Sequence, residues 1–445
     1  MNWSLALLRG AIGVAVLLGI AWLLSADRKR ISWRIVWSGV GLQFVLAVMV
    51  LKIGWVGAVF DWVGQGFVAM LEISRRASVF VFGALSNSEQ SSAAFGEGNG
   101  FIFATQALPS IIFFSAITSV LYYLGILQRI VMVLAWIMRR TMKLSGAESL
   151  AAAANVFVGQ TEAPLVVKPY IPRMTRSEIM ALMVGGMATI AGSVFGLYIS
   201  FLAGTDPDQQ REFAKVLLCA SVMNAPAALL VAKIMLPETE RVSPDLTVDK
   251  GTVGRNVVDA LANGTSQGLK LALNVAAMII AFYATILLVN VILGDLVGAF
   301  NWFGIGRLND VVAYLSGGAF DKLSLQAIFG FLFAPIAWAI GIAGSEILKV
   351  GQLLGTKVFA TEFFAFEALG KMNASGGLSP RAVFISTFAL CGFANCMSIG
   401  IQIGGIGGLA PERRETLALL GFKAMVGGTI ASCLSASIAG ILFSG

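Results

Sequence analysis

Long runs of apolar residues separated by short polar segments dominate this chain of 445 residues. The runs that are long enough to cross a bilayer, which takes about 20 residues, cover residues 5–24, 35–54, 102–124, 177–202, 214–236, 268–296, 382–405 and 416–443. Short alternating segments of the kind that transmembrane β-barrels require are absent from the sequence. The pattern therefore predicts an all-α integral membrane protein with several membrane-spanning helices.

Composition and charge agree with this prediction. Hydrophobic residues make up 57% of the chain and charged residues 12%, and the mean hydropathy is +0.84. The net charge of +7 comes from Lys and Arg that flank the apolar runs, notably at residues 28–34, 139–143 and 168–176. We expect these loops to face the cytoplasm and the acidic loop 204–213 to face outward, which places the N-terminus outside. Because the basic residues form no continuous face, the expected partner is the lipid bilayer and not a nucleic acid.

One polar stretch, NVFVGQTEAP, interrupts an apolar region at residues 155–164. The glycine and the proline within it disturb helical hydrogen bonding, so the region is too broken to cross the membrane as one helix. A re-entrant helix–turn–helix hairpin that lines an enclosed wet cavity is predicted instead. The freed carbonyls are potential cation ligands, and Gln160, Thr161 and Glu162 offer donors and acceptors to a polar solute.

An internal repeat organises the rest of the chain. Residues 146–167 are loosely matched by residues 344–366, and the broken apolar segments at 185–196 and 391–405 follow them in the same order. Three predicted crossings separate the two copies, and an odd number inverts the second copy, as in secondary transporters. The predicted organisation is a scaffold (1–144), a first transport repeat (145–236), a scaffold span with an external segment (237–322) and a second transport repeat (323–445).

Two carboxylates at the predicted tips need an explanation, because an acid at the centre of a membrane helix costs about 2.5–3.5 kcal/mol. Glu162 and Glu362 each follow a threonine in the two copies of the repeat. Direct binding of a polar solute is the favoured interpretation. The alternative is a pair of carboxylates that stay neutral or pair with Lys168 or Lys357.

Other classes of membrane protein fit less well. A lipid or prenyl transferase needs acidic clusters for Mg²⁺ or a nucleophilic His/Cys arrangement, whereas the chain has no histidine and its four cysteines show no metal-like spacing. We interpret Cys219, Cys391, Cys396 and Cys433 as buried apolar residues. A passive channel is disfavoured, because closed hairpins with buried carboxylates indicate occlusion rather than a continuous pore. The chain is predicted to be a transporter and no enzyme.

Six stretches carry a resemblance to a known family: GQTEAPLVVKPYI (159–171), FATQALPSIIFFSAITSVLYYLGILQ (103–128), SVMNAPAALLVAK (221–233), LALNVAAMIIAFYA (271–284), LGTKVFATEFFAF (354–366) and ALCGFANCMSIGIQIGG (389–405). They are similar to concentrative nucleoside transporters of the bacterial type. The resemblance implies a homotrimer in the bacterial cytoplasmic (inner) membrane. It also implies eight transmembrane helices and two inverted re-entrant hairpins per protomer, driven by a Na⁺ or H⁺ gradient.

The resemblance also implies roles for individual residues. The residues implied at the nucleoside are Gln160, Thr161 and Glu162 at the base, with Val194 nearby, and Glu362, Asn395 and Ser398 at the ribose, with Phe393 packing against the nucleoside. The implied sodium site is formed by Asn155 and Thr189 and by the backbone carbonyls of Val158 and Ile190. Two residues depart from the common family pattern, Thr361 in place of Asn and Thr189 in place of Ser, and neither departure removes an oxygen from the cation site.

The favoured function is a sodium-coupled symporter that imports nucleosides such as uridine by alternating access. A neutral nucleoside suits amide and carboxylate groups beside an apolar wall, and the scarcity of Lys and Arg at the tips disfavours nucleotides. Proton coupling is the alternative, in which Glu162 or Glu362 would titrate. A proton-coupled relative would tolerate apolar residues at positions 155 and 189, and this chain keeps both polar, which favours Na⁺.

Overall fold

The protein is helical throughout the part of the chain that the structure describes. This computed structural model describes residues 3–96, 100–160, 162–204, 206–240, 255–302 and 308–443. Within those ranges every regular element is an α-helix or a short 3-10 helix, and no strand is present. The predicted all-α fold is confirmed.

Seven helices form the N-terminal part of the fold: α1 (Trp3–Leu23), α2 (Trp33–Lys52), α3 (Gly54–Phe82), α4 (Ser88–Phe95), α5 (Phe103–Gln106), α6 (Leu108–Tyr123) and α7 (Ile126–Met142). The sequence pattern did not indicate a span at α3, because Asp61, Glu72, Arg75 and Arg76 divide its apolar residues. Together with α4, however, α3 forms one of eight described helical segments that are long and apolar enough to cross a membrane.

Two sets of helices then repeat the same order. The first set is α8 (Gly146–Asn155), α9 (Ala163–Val166), α10 (Arg176–Ala188), α11 (Gly192–Ala203) and α12 (Pro207–Met235). Next along the chain are α13 (Val257–Trp302), α14 (Leu308–Leu315) and α15 (Leu325–Ala339). The second set is α16 (Glu346–Phe359), α17 (Glu362–Ala374), α18 (Pro380–Leu390), α19 (Cys396–Leu409) and α20 (Arg414–Leu442).

Each set has two breaks followed by one long helix. The first break separates α8 from α9, or α16 from α17, and the second separates α10 from α11, or α18 from α19. Helices α12 and α20, which close the two sets, both have 29 residues. The apolar run at 382–405 is therefore two shorter helices rather than one bilayer-length helix. Insertion of the first break of each set as a re-entrant hairpin stays a prediction.

Capping side chains determine where several of these helices begin. Ser145 at the start of α8 and Thr175 at the start of α10 each form a reciprocal capping box with a glutamate three residues later. Asn395 caps α19 by accepting a hydrogen bond from the backbone N–H of Ser398 at 2.8 Å. Each cap satisfies backbone donors that would otherwise be orphaned inside the protein.

The two repeats form the interior of the described chain, and α13 lies on its outside. Three apolar segments, Arg176–Ala203, Pro207–Met235 and Pro411–Leu442, are almost entirely buried. In the most apolar stretch of 18 residues within each, at least 94% of the residues are buried within the protein. In Val257–Gly294 the corresponding share is 6%. Because the side chains on the outside of α13 are mostly apolar, this helix must contact lipid or another protein surface.

Small residues bring α13 into close contact with α6. A Cβ atom added to Gly264 would lie 2.6 Å from the Cβ of Ser119, and one added to Gly268 would lie 2.8 Å from the Cα of Ile112. The Ser119 hydroxyl donates a hydrogen bond to the carbonyl of Ala260 at 2.8 Å. This is the close small-residue packing that joins helices within membranes.

Candidate functional site

A cavity of about 410 Å³ lies where the breaks of the two repeats meet. Seven of the eight residues predicted to bind a nucleoside line it: Gln160, Glu162, Val194, Glu362, Phe393, Asn395 and Ser398. The eighth, Thr161, lies outside the described residues. The fold thus gathers residues from both repeats around one space, and two of them, Gln160 and Ser398, are 238 positions apart in sequence.

The second repeat contributes Glu362, whose buried carboxyl group accepts hydrogen bonds from two side chains. Glu362 is 2% exposed, and its Oε1 accepts from the Tyr198 hydroxyl at 3.0 Å while its Oε2 accepts from Asn395 Nδ2 at 2.8 Å. Tyr198 belongs to α11 in the first repeat, and its ring stacks on Phe366 of α17 with centroids 4.5 Å apart. Both oxygens of this carboxyl group are therefore fixed in direction.

The first repeat contributes an amide that is held in a similar way. Gln160 Nε2 donates to the Ser398 hydroxyl at 2.9 Å, and Gln160 Oε1 accepts from Gln402 Nε2 at 3.0 Å. Gln402 also donates to the carbonyl of Met183 at 3.0 Å. A Cβ at position 186 would lie 2.7 Å from Gln402 Nε2, so Gly186 leaves the space for this contact. The hydrogen bonds of the two repeats meet at Ser398.

Tyr198 and Gln402 were missed by the sequence analysis. Both lie within apolar helices, at positions where periodicity predicts only packing. Each acts across the repeats, and their partners are 164 and 242 positions away in sequence. Nothing local in the sequence indicates such pairings.

The second breaks of the two repeats contact each other at the edge of the cavity, which Ala191 and Phe393 line. Asn224 Nδ2 of α12 donates to the carbonyl of Ala188 at 2.8 Å and to the carbonyl of Cys391 at 2.7 Å. The backbone N–H of Phe393 donates to the carbonyl of Thr189 at 3.3 Å. One buried amide and one backbone bond thus satisfy carbonyls that the helix breaks release.

Behind the first break lies a buried amide without a hydrogen-bond partner. Asn155, at the end of α8, is 1% exposed, and neither its Oδ1 nor its Nδ2 has a hydrogen-bond partner among the described residues. It faces α10, because a Cβ at Gly185 would lie 3.2 Å from its Nδ2. Thr189, which ends α10, is also buried and donates to the carbonyl of Gly185 at 2.9 Å. An orphaned amide in the interior is costly unless a ligand satisfies it.

The other two predicted sodium ligands are backbone carbonyls. Val158 and Ile190 are buried and lie outside the α-helices, and no described residue donates a hydrogen bond to either carbonyl. The breaks that carry them are joined by a bond from the backbone N–H of Gly192 to the carbonyl of Phe157 at 3.0 Å. Neutral oxygens of this kind suit a hard monovalent cation, and the described residues contain no cluster of three or more His, Cys, Asp or Glu for another metal.

One wall of the cavity comes from α13. Gln267, Lys270 and Asn274 line the cavity together with Leu271 and Val275. The spacing of three and four residues places them on one helical face. Sequence analysis did not select this face, although polar residues at regular helical spacing within an apolar run would have indicated it.

Lys357 lies in the interior of the second repeat, where a carbonyl and a hydroxyl bind its amino group. Lys357 is fully buried, and its Nζ donates to the carbonyl of Ala389 at 2.8 Å and to the Ser432 hydroxyl at 2.9 Å. Among the described residues it forms no ion pair with Glu362, the pairing considered as the alternative role for that acid.

Three cysteines are buried as predicted, whereas the prediction is wrong for Cys396, which is exposed at the first position of α19.

Comparison with known families matches three parts of the chain. The Na⁺ dependent nucleoside transporter C-terminus matches residues 216–440, the corresponding N-terminus matches residues 12–85, and the nucleoside recognition Gate matches residues 104–205. An uncharacterized transporter of Haemophilus influenzae is 42% identical over 98% of both chains. The human sodium/nucleoside cotransporter 1 is 35% identical over 97% of this chain and 63% of that protein.

Solved structures of the transporter CNTnw share the fold. Its inward-facing, substrate-bound state is 40% identical to this chain with a TM-score of 0.86, and the match covers 98% of this chain and 99% of that chain. An outward-facing state gives a TM-score of 0.88 at 39% identity, with 99% of both chains covered. The chain belongs to the Na⁺-dependent, or concentrative, nucleoside transporter family, whose members are transporters and not enzymes.

Proposed function

We propose that the protein is a sodium-coupled symporter that imports nucleosides such as uridine across the bacterial inner membrane. The observation that carries the proposal is the position of the orphaned Asn155 amide behind the hairpin break that supplies Gln160 and Glu162 to the cavity. A cation held by Asn155 would order the same segment that contacts the substrate. Binding of the ion and of the nucleoside would then be coupled.

The cavity has the chemistry that a neutral nucleoside requires. Gln160 and Glu162 present an amide and a carboxyl group to a base edge, and Glu362 with Asn395 suits a vicinal diol. Phe393 adds an aromatic wall. Because Gln402 and Tyr198 hold Gln160 and Glu362 in place, little ordering is left to occur when the substrate binds.

Alternating access is proposed to move the repeats past the scaffold. We assign α8–α12 and α16–α20 to the transport unit, and the first spans with α13 to the scaffold and the trimer contact. The cavity lies between the two units, because α13 supplies one wall and the hairpin breaks supply the other. The exposed apolar surface of α13 supports a homotrimer, and the basic loops support an outside N-terminus.

Uptake of radiolabelled uridine into proteoliposomes tests the coupling ion. An inward Na⁺ gradient is expected to drive accumulation above the equilibrium level, and a pH gradient without Na⁺ is not. Accumulation driven by the pH gradient alone would replace Na⁺ with H⁺ as the coupling ion.

Asn155→Ala is expected to abolish the Na⁺ dependence. Ser149→Ala is the matched control, because Ser149 is also buried on α8 and its hydroxyl also lacks a hydrogen-bond partner. The control should keep Na⁺-driven uptake. Normal Na⁺ dependence in Asn155→Ala would refute the assigned cation site.

Maleimide labelling tests where the substrate binds. Cys396 is exposed and lies between Asn395 and Met397, which line the cavity, although it does not line the cavity itself. The other three cysteines are buried, so labelling reports on this position alone. Saturating uridine is expected to slow the reaction, and Cys396→Ser is the unlabelled control. An unchanged labelling rate in protein that still binds uridine would place the nucleoside elsewhere.

A further inference from the structure

A second cavity, of about 360 Å³, lies at the basic end of α7 and shares no lining residue with the substrate cavity. Its wall combines the segment before α2, the end of α7, the start of α8 and the segment after α12, and it contains the side chains of Arg30, Arg139, Lys143 and Lys233 beside those of Glu148 and Glu238. The cavity therefore lies between the N-terminal helices and the first repeat. The lining has more basic than acidic side chains.

The acids in this cavity are already satisfied. Lys233, which is 5% exposed, forms ion pairs with Glu148 at 2.8 Å and with Glu238 at 3.3 Å. Glu148 Oε1 also accepts from the backbone N–H of Ser145 at 2.8 Å, and Glu238 Oε2 accepts from the Thr175 hydroxyl at 2.8 Å. These bonds leave neither carboxylate as a free partner for the other cations.

The remaining cations are available to a ligand. Within the described ranges Arg139 and Lys143 form no ion pair, and Arg30 forms one with Asp27 alone, at 3.4 Å, in an exposed pair. Exposed pairs of this kind contribute little. Two unpaired cations and one weakly paired cation thus line one cavity, which favours the binding of an anion.

The backbone at Lys143 supports this interpretation. Lys143 has φ +53 and ψ 42, and it is the one described non-glycine residue with a positive φ. Glycine is the residue that this left-handed conformation favours at the end of a helix. The chain nevertheless places a lysine there, and its side chain lines the cavity.

Exposed tryptophans indicate that the anion belongs to a lipid. Trp33 and Trp37 at the start of α2 are 56% and 69% exposed, and Trp136 on α7 is 63% exposed. Trp33 follows Arg30 by three residues, and Trp136 precedes Arg139 by three residues, about one turn, on α7. Tryptophan concentrates at the headgroup level of membranes, so the cavity opens at that level. We propose that it binds the phosphodiester headgroup of an acidic phospholipid, with Arg139 and Lys143 as the principal contacts.

Two measurements on the purified protein test the proposal. The protein is placed in nanodiscs of phosphatidylcholine with or without phosphatidylglycerol, its thermal unfolding is followed, and the lipid that it retains is identified by native mass spectrometry. Phosphatidylglycerol is expected to raise the unfolding temperature and to remain bound. Arg139→Gln should weaken its binding about fivefold, the effect of one basic residue near an anionic headgroup. Arg140→Gln is the matched control, because Arg140 is the next residue of α7 and does not line the cavity.

Lys143→Gly separates lipid binding from folding. The substitution removes the positive charge and places glycine at a left-handed backbone position that glycine favours. The variant should therefore fold at least as well as the parent, while phosphatidylglycerol raises its unfolding temperature less. Equal weakening by Arg140→Gln, or equal retention of phosphatidylcholine, would overturn the proposal. Complete displacement of the lipid by inorganic phosphate at millimolar concentration would assign the cavity to a soluble anion instead.

Discussion

Removal of one buried hydroxyl tests the ribose side of the site without touching the substrate. Tyr198→Phe keeps the ring that stacks on Phe366 and removes the donor that lies 3.0 Å from Glu362 Oε1. A hydrogen bond to a charged group contributes about 1.5–3 kcal/mol. Because Tyr198 acts on the substrate only through the position of Glu362, this energy is an upper bound, and since 1.4 kcal/mol is about a tenfold change in affinity, uridine affinity is expected to fall about tenfold and by no more than about a hundredfold.

Isothermal titration calorimetry of the folded protein in NaCl measures this change. A nucleoside without its 3′-hydroxyl should bind more weakly than uridine to the parent, and Tyr198→Phe should weaken that analogue much less than it weakens uridine. Tyr123→Phe is the control, because its hydroxyl lies 3.5 Å from the carbonyl of Arg255 and outside the cavity. Equal losses for uridine and for the analogue would refute the assignment of Glu362 to the ribose.

Three further changes have expected outcomes in other parts of the fold. Gln402→Leu removes the donor to Gln160 Oε1 and should lower uridine affinity about fivefold, measured by the same titration, for the loss of about 1 kcal/mol; unchanged affinity would mean that Gln402 does not position the base contact. Lys357→Ala should lower the unfolding temperature more than Lys357→Met does, because alanine also leaves a cavity where the buried lysine stem packs; equal melting curves would contradict this. Gly268→Val should destabilise the α6–α13 contact by about 1–3 kcal/mol, measured by thermal unfolding, because the added side chain meets Ile112, whereas Gly294→Val, which meets nothing within 4 Å, should have little effect.

The sequence predicts the order of elements well because that order depends on local signals. Gly159 and Gln160 lie in the break between α8 and α9, and Gly392 lies in the break between α18 and α19. Glu362 is marked instead by the Thr–Glu pair that it shares with the first copy of the repeat. The polar tips at Gln160 and Glu362 follow from these signals, and both lie at the cavity. Their assignment to base and ribose, however, comes from the family resemblance.

Other features depend on contacts that no local pattern encodes. The sequence analysis missed the span at α3 because acidic and basic residues divide its apolar positions. The charged residues lie on exposed parts of the helix, as in the ion pair of Glu72 with Arg75 at 2.8 Å. The sequence analysis missed Tyr198 and Gln402, because a polar side chain on a buried helix face can be recognised as functional only when its hydrogen-bond partner is known. Cys396 was predicted to be buried from its apolar neighbours, but it is the first residue of α19, directly after the break, and its side chain is exposed.

Uridine binding titrated in NaCl and in choline chloride at equal ionic strength tests the central claim most directly. If a cation at Asn155 and Thr189 orders the break that carries Gln160 and Glu162, the parent should bind uridine about 5- to 150-fold more tightly in NaCl, the usual range for coupled sites. Asn155→Ala should bind equally in both salts. Equal affinity of the parent protein in the two salts would contradict sodium coupling through this site.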